Sequence, residues 1–382
     1  MTKPFDMRAV QRGARLRRSP FFDATLRAGC WGYTVYNHMF LPIGYADLEE
    51  EYWRLLNDVT MWDVSVERQV EITGPDAFAF TNLLTPRDLA KCRVGQGKYV
   101  IITAEDGGII NDPVLLRLGD NHFWLALADS DVLLWAKGVA YQSGMDVDIK
   151  EPDVSPMQVQ GPKSKEVVAS LFGDAVLDLH YYYFLETQLD GIPVIVTRTG
   201  WSGEVGFEIY LRDGSKGEAL WNRVMEAGTP YNIAPTGPSD IRRIEAGILN
   251  YGIDMTLDNH PYEVGLGWLV DLEQGADFIG KEALRRLAQQ EPTRQLVGVE
   301  IAGDRLAFNY ARWPVAAGGE DVGAITSAVY SPRLERNIGY AMVPVAHAAL
   351  GSSLTVTTPD GPREATVVPK PFVDPTKETP KS

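Results

Sequence analysis

Val70-Glu71-Ile72-Thr73-Gly74-Pro75 is an alternating run that ends in a glycine and a proline. Met157-Gln158-Val159-Gln160-Gly161-Pro162 repeats that grammar 87 residues later. Each alternation predicts a strand with one buried face. Proline suits the first turn of a helix, where its missing N–H would have had no partner. Helices are therefore expected from Pro75 and from Pro162, the second running to Leu171-Phe172-Gly173. Two strand–Gly-Pro–helix units predict two related α+β halves rather than a Rossmann alternation.

Between the repeats, Val114-Leu115-Leu116-Arg117-Leu118 and Phe123-Trp124-Leu125-Ala126-Leu127 flank the turn Gly119-Asp120-Asn121, which predicts a hairpin. Asp129 or Ser130 then caps an expected helix over Asp131 to Lys137. A further helix follows Ser239, with Ile241, Ile244, Ile248 and Leu249 on one face. After about residue 290 the chain turns to short β-rich segments such as Leu296-Val297-Gly298-Val299-Glu300-Ile301, so a small β domain is expected there. The Lys, Pro and Thr-rich tail from Asp374 to Ser382 is expected to fray.

The 382 residues include 36 basic and 51 acidic side chains, a formal net charge of −15. Hydrophobic residues at 45% and charged residues at 23% exclude disorder over most of the chain. The acidic balance argues against nucleic acid, whose binders need a concentrated positive surface. A small anionic ligand needs only a local cluster of donors. Two distant cysteines, Cys30 and Cys92, provide neither a disulfide framework nor a zinc site and fit a reducing compartment. No apolar run approaches the ~20 residues that span a bilayer. Met1 to Arg18 carries five arginines without an apolar core, so it is not a secretory signal; it reads as a solvated basic arm or as a mimic of a transit peptide. A cytoplasmic protein with no membrane partner is the expectation.

The familiar catalytic motifs are absent: no phosphate-binding Gly-rich loop, no His-Glu-x-x-His, no Gly-x-Ser-x-Gly. No metal is expected, and chemistry would run through positioning, electrostatics or an organic cofactor. Three stretches invite a site. Gly107-Gly108-Ile109-Ile110-Asn111-Asp112-Pro113 either places a carboxylate in a cleft or is simple turn chemistry. In Thr199-Gly200-Trp201-Ser202-Gly203-Glu204-Val205-Gly206-Phe207-Glu208-Ile209-Tyr210-Leu211, glycines permit close backbone approach, Trp201 offers a stacking face and Glu208 stands among apolar neighbours. An exposed hairpin is the plainer alternative. The aromatic groups Trp31, Tyr33, Tyr36 and Tyr181-Tyr182-Tyr183-Phe184 are core, or a cage for a cation.

Gly-Gly-Ile-Ile-x-Asp, Thr-Gly-x-x-Gly-Glu-x-Gly-Phe-Glu-Ile, Arg243-Ile244-Glu245-Ala246-Gly247, Tyr251-Gly252-x-Asp254-Met255, Asn259 to Trp268 and Phe278-Ile279-Gly280-Lys281 occur in register. In that order they resemble the aminomethyltransferase family, which holds the glycine-cleavage T protein and tetrahydrofolate-dependent demethylases. Tyr33 to Met39, Asp63 to Ile72 and Ala128 to Gly138 resemble the branch that demethylates dimethylsulfoniopropionate-like sulfonium compounds.

The resemblance implies an α+β, three-domain cloverleaf around a central folate-binding hole: two related α+β domains plus a C-terminal β-barrel-like domain. The expected domains are 1–60 with 150–285, 61–149, and 286–382. It implies Asp112 as the catalytic carboxylate; Tyr99, Trp201, Glu208 and Trp268 at tetrahydrofolate; and Tyr36, Ser130 and Tyr183 at a small-molecule methyl donor. Glu208 would pair with the amino-pyrimidine edge of the cofactor. Three departures stand out, one being Tyr183, which stands where the sulfonium-demethylase branch is expected to present a tryptophan. The T protein usually has two acids where this chain has Asn111-Asp112, and its tail-binding arginine is replaced by Ser239. Arg242, Arg243 or a basic residue of the C-terminal domain would then have to compensate, or the tail would be held weakly in solvent. The implied reaction gives 5-methyltetrahydrofolate. The alternatives are a glycine-cleavage-like aminomethyltransferase and a folate-binding protein without catalysis; monomer and homodimer stay open.

Overall fold

The structure, a computed structural model, describes Gly13 and residues 15–382. Arg8 and Arg12 of the basic arm lie outside the described residues, whereas Arg17 pairs with Glu151 at 2.6 Å. Two open sheets and a closed six-stranded barrel organise the chain. No described helix is long and apolar enough to cross a membrane.

The open sheets share one topology. In the first, Gln69–Thr73 lies between the edge strand Asp148–Lys150 and His122–Ala126, followed by Val114–Gly119 and Gln96–Tyr99. In the second, Ser155–Gln160 lies between Thr60–Asp63 and Gly206–Leu211, followed by Ile192–Thr197 and Phe184–Leu189. These pairings are antiparallel, and Ala234–Pro235 joins the second sheet in parallel beside Thr60–Asp63.

The repeated glycines explain the echo. Gly74 and Gly161 sit at φ +120° and +122°, and a Cβ on either would come within 2.6 Å of a backbone carbonyl oxygen. That oxygen belongs to Asp146 in one unit and Asp58 in the other, each just ahead of the flanking strand, Asp148–Lys150 or Thr60–Asp63. Only glycine accommodates both the dihedral and the approach. The helices run Ala77–Leu84 and Ser164–Phe172, two residues later than the prolines suggest. Pro75 and Pro162 instead occupy turns closed by Ala77 N–H to Gly74 at 3.1 Å and Ser164 N–H to Gly161 at 3.0 Å.

Each helix covers one face of its sheet. Phe80 and Leu84 pack on Val70, Ile72, Phe123 and Leu125; Val167 and Val168 pack on Met157, Val159, Phe207 and Ile209. Leu116 and Trp124 of the first sheet meet Phe184, Ile195 and Tyr210 of the second, so the sheets bury each other's remaining apolar face. Near 25 cal/mol per Å² of apolar surface, these faces supply most of the driving force for the arrangement.

The hairpin forms as Val114–Gly119 and His122–Ala126. The next helix runs Val132–Ser143, but neither Asp129 nor Ser130 caps it. Asp129 instead accepts the Asn37 N–H at 2.8 Å, and Ser130 Oγ accepts from Asn111 Nδ2 at 2.8 Å. Ser239 does cap its helix, accepting the Arg242 N–H at 3.2 Å. That helix is only Asp240–Glu245, so Ile248 and Leu249 lie past its end.

The barrel closes in the order Arg294–Ile301, Arg336–Pro344, Glu320–Ser331, Trp313–Ala317, Ser353–Thr358 and Gly361–Val368. Tyr340 donates to the Ile244 carbonyl at 2.8 Å, and Arg243 reaches Asp254 at 2.7 Å and Ser327 Oγ at 2.9 Å. These bonds fasten the barrel to the short helix. The tail is ordered rather than frayed. Phe372 and Val373 N–H both donate to the Glu245 carbonyl at 2.9 Å, and the Arg198 guanidinium bonds the Ser382 carbonyl. Asp374 caps the terminal helix Glu378–Lys381 through Glu378 and Thr379 N–H.

Candidate active site

A cavity of about 1140 Å³ opens where the sheets, the helix after Ser239 and the tail meet. Tyr36, Tyr99, Asp112, Trp201, Glu208 and Trp268 all line it. Four separate segments of the sequence thus converge on one space.

Asp112 stands between Ile109–Asn111 and Val114–Gly119, where Pro113 breaks the strand. Its Oδ2 accepts a hydrogen bond from the Tyr99 hydroxyl at 2.9 Å. Burial pushes its carboxyl up to about 7; the Tyr99 bond pulls the other way, and the Asp254 charge adds a little upward. Such a group exchanges a proton near neutral pH. Asn111 points elsewhere. Its amide donates to the Ala128 carbonyl at 3.0 Å and to Ser130 Oγ, and accepts the Ala128 N–H at 3.1 Å.

Glu208 is held from four sides. Oε1 accepts from Gln158 Nε2 at 2.7 Å; Oε2 accepts from Thr199 at 2.6 Å, Tyr210 at 2.9 Å and Thr197 at 3.5 Å. Burial still raises its proton affinity despite those donors. Oε2 is saturated, whereas Oε1 keeps a free lone pair for a ligand N–H. Trp201 packs on Leu55, Trp62 and Val64, with the Arg243 guanidinium 5.5 Å from its ring centre. Tyr99 and Trp268 rings lie 6.3 Å apart, and Arg87 lies over Trp268 at 5.3 Å.

Tyr36 ends the strand Gly32–Tyr36, whose turn to Met39–Gly44 places Asn37 and His38 at positive φ, as a two-residue hairpin demands. The Asn37 side chain locks this turn to the Val66 and Ala128 carbonyls, at 2.9 and 3.1 Å, and to the Ser130 N–H at 3.0 Å. Ser130 and Tyr183 are not among the lining residues. Ser130 is engaged by Asn37 and Asn111, while Tyr183 bridges to Gln96 through the backbone. Tyr182, at φ +68°, reverses the chain ahead of Tyr183, so Tyr181 and Tyr182 line the cavity instead.

Glu67 was not singled out by the sequence, yet it lines the cavity. Among the described residues its carboxylate has no hydrogen-bond partner, and burial followed by the charges of Glu208 and Asp112 pushes its proton affinity well up. Its place three residues after Val64 and directly after Val66 gave no chemical signal. Arg242 and Arg243 do not face a ligand as free charges. Arg242 pairs with Glu204 at 2.7 Å, and Arg243 with Asp240 at 2.6 Å and Asp254 at 2.7 Å. Among the described residues no cluster of three or more His, Cys, Asp or Glu is arranged for a metal ion.

Residues 21–274 match the GCVT N-terminal domain, and residues 294–374 match the glycine cleavage T-protein C-terminal barrel domain. The chain is 42% identical over 361 residues to dimethylsulfoniopropionate demethylase DmdA of Ruegeria pomeroyi, covering 94% of this chain and 98% of that protein. It is 33% identical over 368 residues to an aminomethyltransferase of Symbiobacterium thermophilum, covering 94% and 97%. The glycine cleavage system aminomethyltransferase T from Bartonella henselae shares the fold, with a TM-score of 0.84 at 24% identity over 94% of this chain and 99% of that one. With both domain matches and near full-length similarity in hand, the chain belongs to the aminomethyltransferase family of the glycine-cleavage T protein.

Proposed function

We propose that this chain transfers a methyl group from a small sulfonium compound, dimethylsulfoniopropionate or a close analogue, to tetrahydrofolate. The observation that carries the reading is Asp112, hydrogen-bonded to Tyr99 and poised near neutrality in an aromatic-walled cavity. Similarity to a dimethylsulfoniopropionate demethylase along 94% of the chain supports the choice of donor.

The residues present fit a reduced folate. Glu208 Oε1 retains an acceptor site for an amino-pyrimidine N–H, and Trp201, Tyr99 and Trp268 offer faces for flat rings. A cavity of about 1140 Å³ holds such a cofactor together with a small donor. Because Oε2 already takes three donors, Glu208 accepts one new bond rather than the two its carboxylate suggests in isolation. Tetrahydrofolate, when bound, supplies the nitrogen nucleophile that takes up the methyl group.

The chain's own residues bind, align and handle the proton. Asp112, ionised, accepts the proton that methyl transfer releases, and Tyr99 fixes the orientation of its carboxyl. A sulfonium donor departs as a neutral thioether, so alignment rather than acid catalysis dominates the barrier. Tyr36 and Trp201 offer π-faces to the cation, and the unpartnered Glu67 carboxyl near Tyr36, held protonated by its surroundings, ionises more readily once a cation is bound beside it. With Asn111 committed to the Ala128 loop, only one of the two adjacent positions presents a group to the cavity.

The test is a donor panel incubated anaerobically with tetrahydrofolate: dimethylsulfoniopropionate, other sulfonium compounds, betaines, methoxy-aromatics and an aminomethylated lipoyl carrier. Formation of 5-methyltetrahydrofolate from the sulfonium compounds alone supports the proposal. A methylene product from the carrier would replace it with glycine-cleavage chemistry.

A further inference from the structure

Among the described residues, the unpaired cationic side chains that line the cavity of this acidic chain come from its C-terminal tail. Nine lining residues are acidic: Asp47, Glu49 and Glu51 near one wall, Glu67, Asp112, Asp129 and Glu208 deeper, and Asp240 and Asp374 near the tail. Four lining residues are cationic: Arg242, Arg305, Lys370 and Lys377. Arg242 is paired with Glu204 at 2.7 Å and donates to the Gly203 carbonyl at 3.0 Å, while its buried Nη1 has no hydrogen-bond partner among the described residues and lies 3.8 Å from Glu245. Arg305 pairs with Glu49 at 2.6 Å. Among the described residues neither the Lys370 nor the Lys377 ammonium group has a carboxylate within pairing distance or a hydrogen-bond partner. Lys370 rests over the Tyr340 ring at 5.4 Å, and burial lowers its proton affinity to about 8. Burial, and then the charge of nearby Lys381, lower that of Lys377.

Both lysines are held in place by the fold. The Phe372 and Val373 N–H bonds to Glu245 fix the chain just after Lys370. Gly247, at φ +71°, admits Pro371 so closely that a Cβ there would lie 2.8 Å from the Pro371 ring. The Asp374 cap and the bond from Arg198 to Ser382 fix the chain on either side of Lys377. Asp374 spends its oxygens on N–H groups of the terminal helix and makes no ion pair with Lys377, although its charge favours the ammonium from a distance. Lys377 also lies beyond residue 374, where the match to the family's barrel domain ends. Two positioned ammonium groups without ion-pair partners among the described residues, on the wall of a mostly acidic cavity, are poised for a ligand that brings its own carboxylates.

We propose that Lys370 and Lys377 bind the carboxylates of the glutamate tail of a reduced folate, replacing the arginine whose place Ser239 takes. This rests on the folate reading of the same cavity. Ser239 caps a short helix, and the charges of the two arginines that follow it are already paired, Arg242 with Glu204 and Arg243 with Asp240 and Asp254. The anion site has moved to the tail.

The experiment measures equilibrium binding, by calorimetry under anaerobic conditions, of tetrahydrofolate and of 6-methyltetrahydropterin, which has no carboxylate. Lys370→Met keeps the buried stem, and Lys377→Ala removes the second charge; melting curves check that each variant folds. Each substitution is expected to weaken tetrahydrofolate about tenfold while leaving the pterin within twofold, a charge-assisted bond being worth about that factor. The salt dependence of tetrahydrofolate binding should weaken in the double variant. Unchanged tetrahydrofolate affinity, or equal loss for both ligands, overturns the assignment and leaves the folate reading standing. Failure of the native chain to bind either ligand overturns both.

Discussion

The Tyr99 hydroxyl meets Asp112 Oδ2 at 2.9 Å on the wall of the cavity, joining the strand Gln96–Tyr99 to the start of Val114–Gly119. This bond stabilises the charged form of a carboxyl whose burial otherwise favours protonation. Asp112→Asn is expected to lower turnover by about two to three orders of magnitude while tetrahydrofolate affinity stays within a few-fold. Single-turnover kinetics beside a binding titration measure the two effects. Equal loss of both would make Asp112 a binding residue only.

The pH profile follows from the same pair. Activity should rise as Asp112 ionises through about pH 7. Tyr99→Phe removes the hydrogen bond that holds the carboxyl down, so the rising limb should move to higher pH. An unmoved limb would assign it to another group.

Stability carries the complementary sign. A carboxyl raised from 3.8 to about 7 contributes its protonation-linked stability at low pH and loses it as pH rises through the folded value. Asp112→Asn removes that loss. The melting temperature of Asp112→Asn minus that of the native chain should therefore increase between pH 4 and pH 8, measured by calorimetry; a difference that stays constant or shrinks would contradict the burial of the charge.

Glu67 tests the cation reading. Glu67→Gln keeps the shape and removes the group's capacity to ionise against a bound cation, and should raise KM for a sulfonium donor about tenfold with a smaller change in tetrahydrofolate affinity. Steady-state kinetics with a sulfonium series would read this directly. An unaltered donor KM would leave the aromatic rings as the sole cation contact.

The barrel is fastened through Arg243, which is wholly buried with Asp254. Arg243→Met leaves Asp254 buried without its cation and should cost about 3–5 kcal/mol. A fall in melting temperature that Asp254→Asn partly restores in the double variant would confirm the coupling.

How much of this was legible in the sequence depended on whether a residue's role is local. Gly74-Pro75 and Gly161-Pro162 announced the duplicated unit because a positive φ and a close approach leave only glycine. The exchange of flanking strands did not show, since Thr60–Asp63 and Asp148–Lys150 find their partners far along the chain. Ser239 was readable as a cap because capping is a three-residue affair. Ser130 and Tyr183 had plausible chemistry, but Asn37, Asn111 and the turn at Tyr182 decide where they face. Glu67 and the tail lysines were invisible for the converse reason: what distinguishes them is the absence of a partner, and only the folded chain reveals that.

The most direct test of the account follows one methyl group. With dimethylsulfoniopropionate labelled in its methyl groups and stoichiometric tetrahydrofolate, the native chain should yield labelled 5-methyltetrahydrofolate and the demethylated thioether in a 1:1 ratio, read by mass spectrometry. Thioether without labelled folate, or no product from a chain shown to bind both compounds, would contradict methyl transfer as its activity.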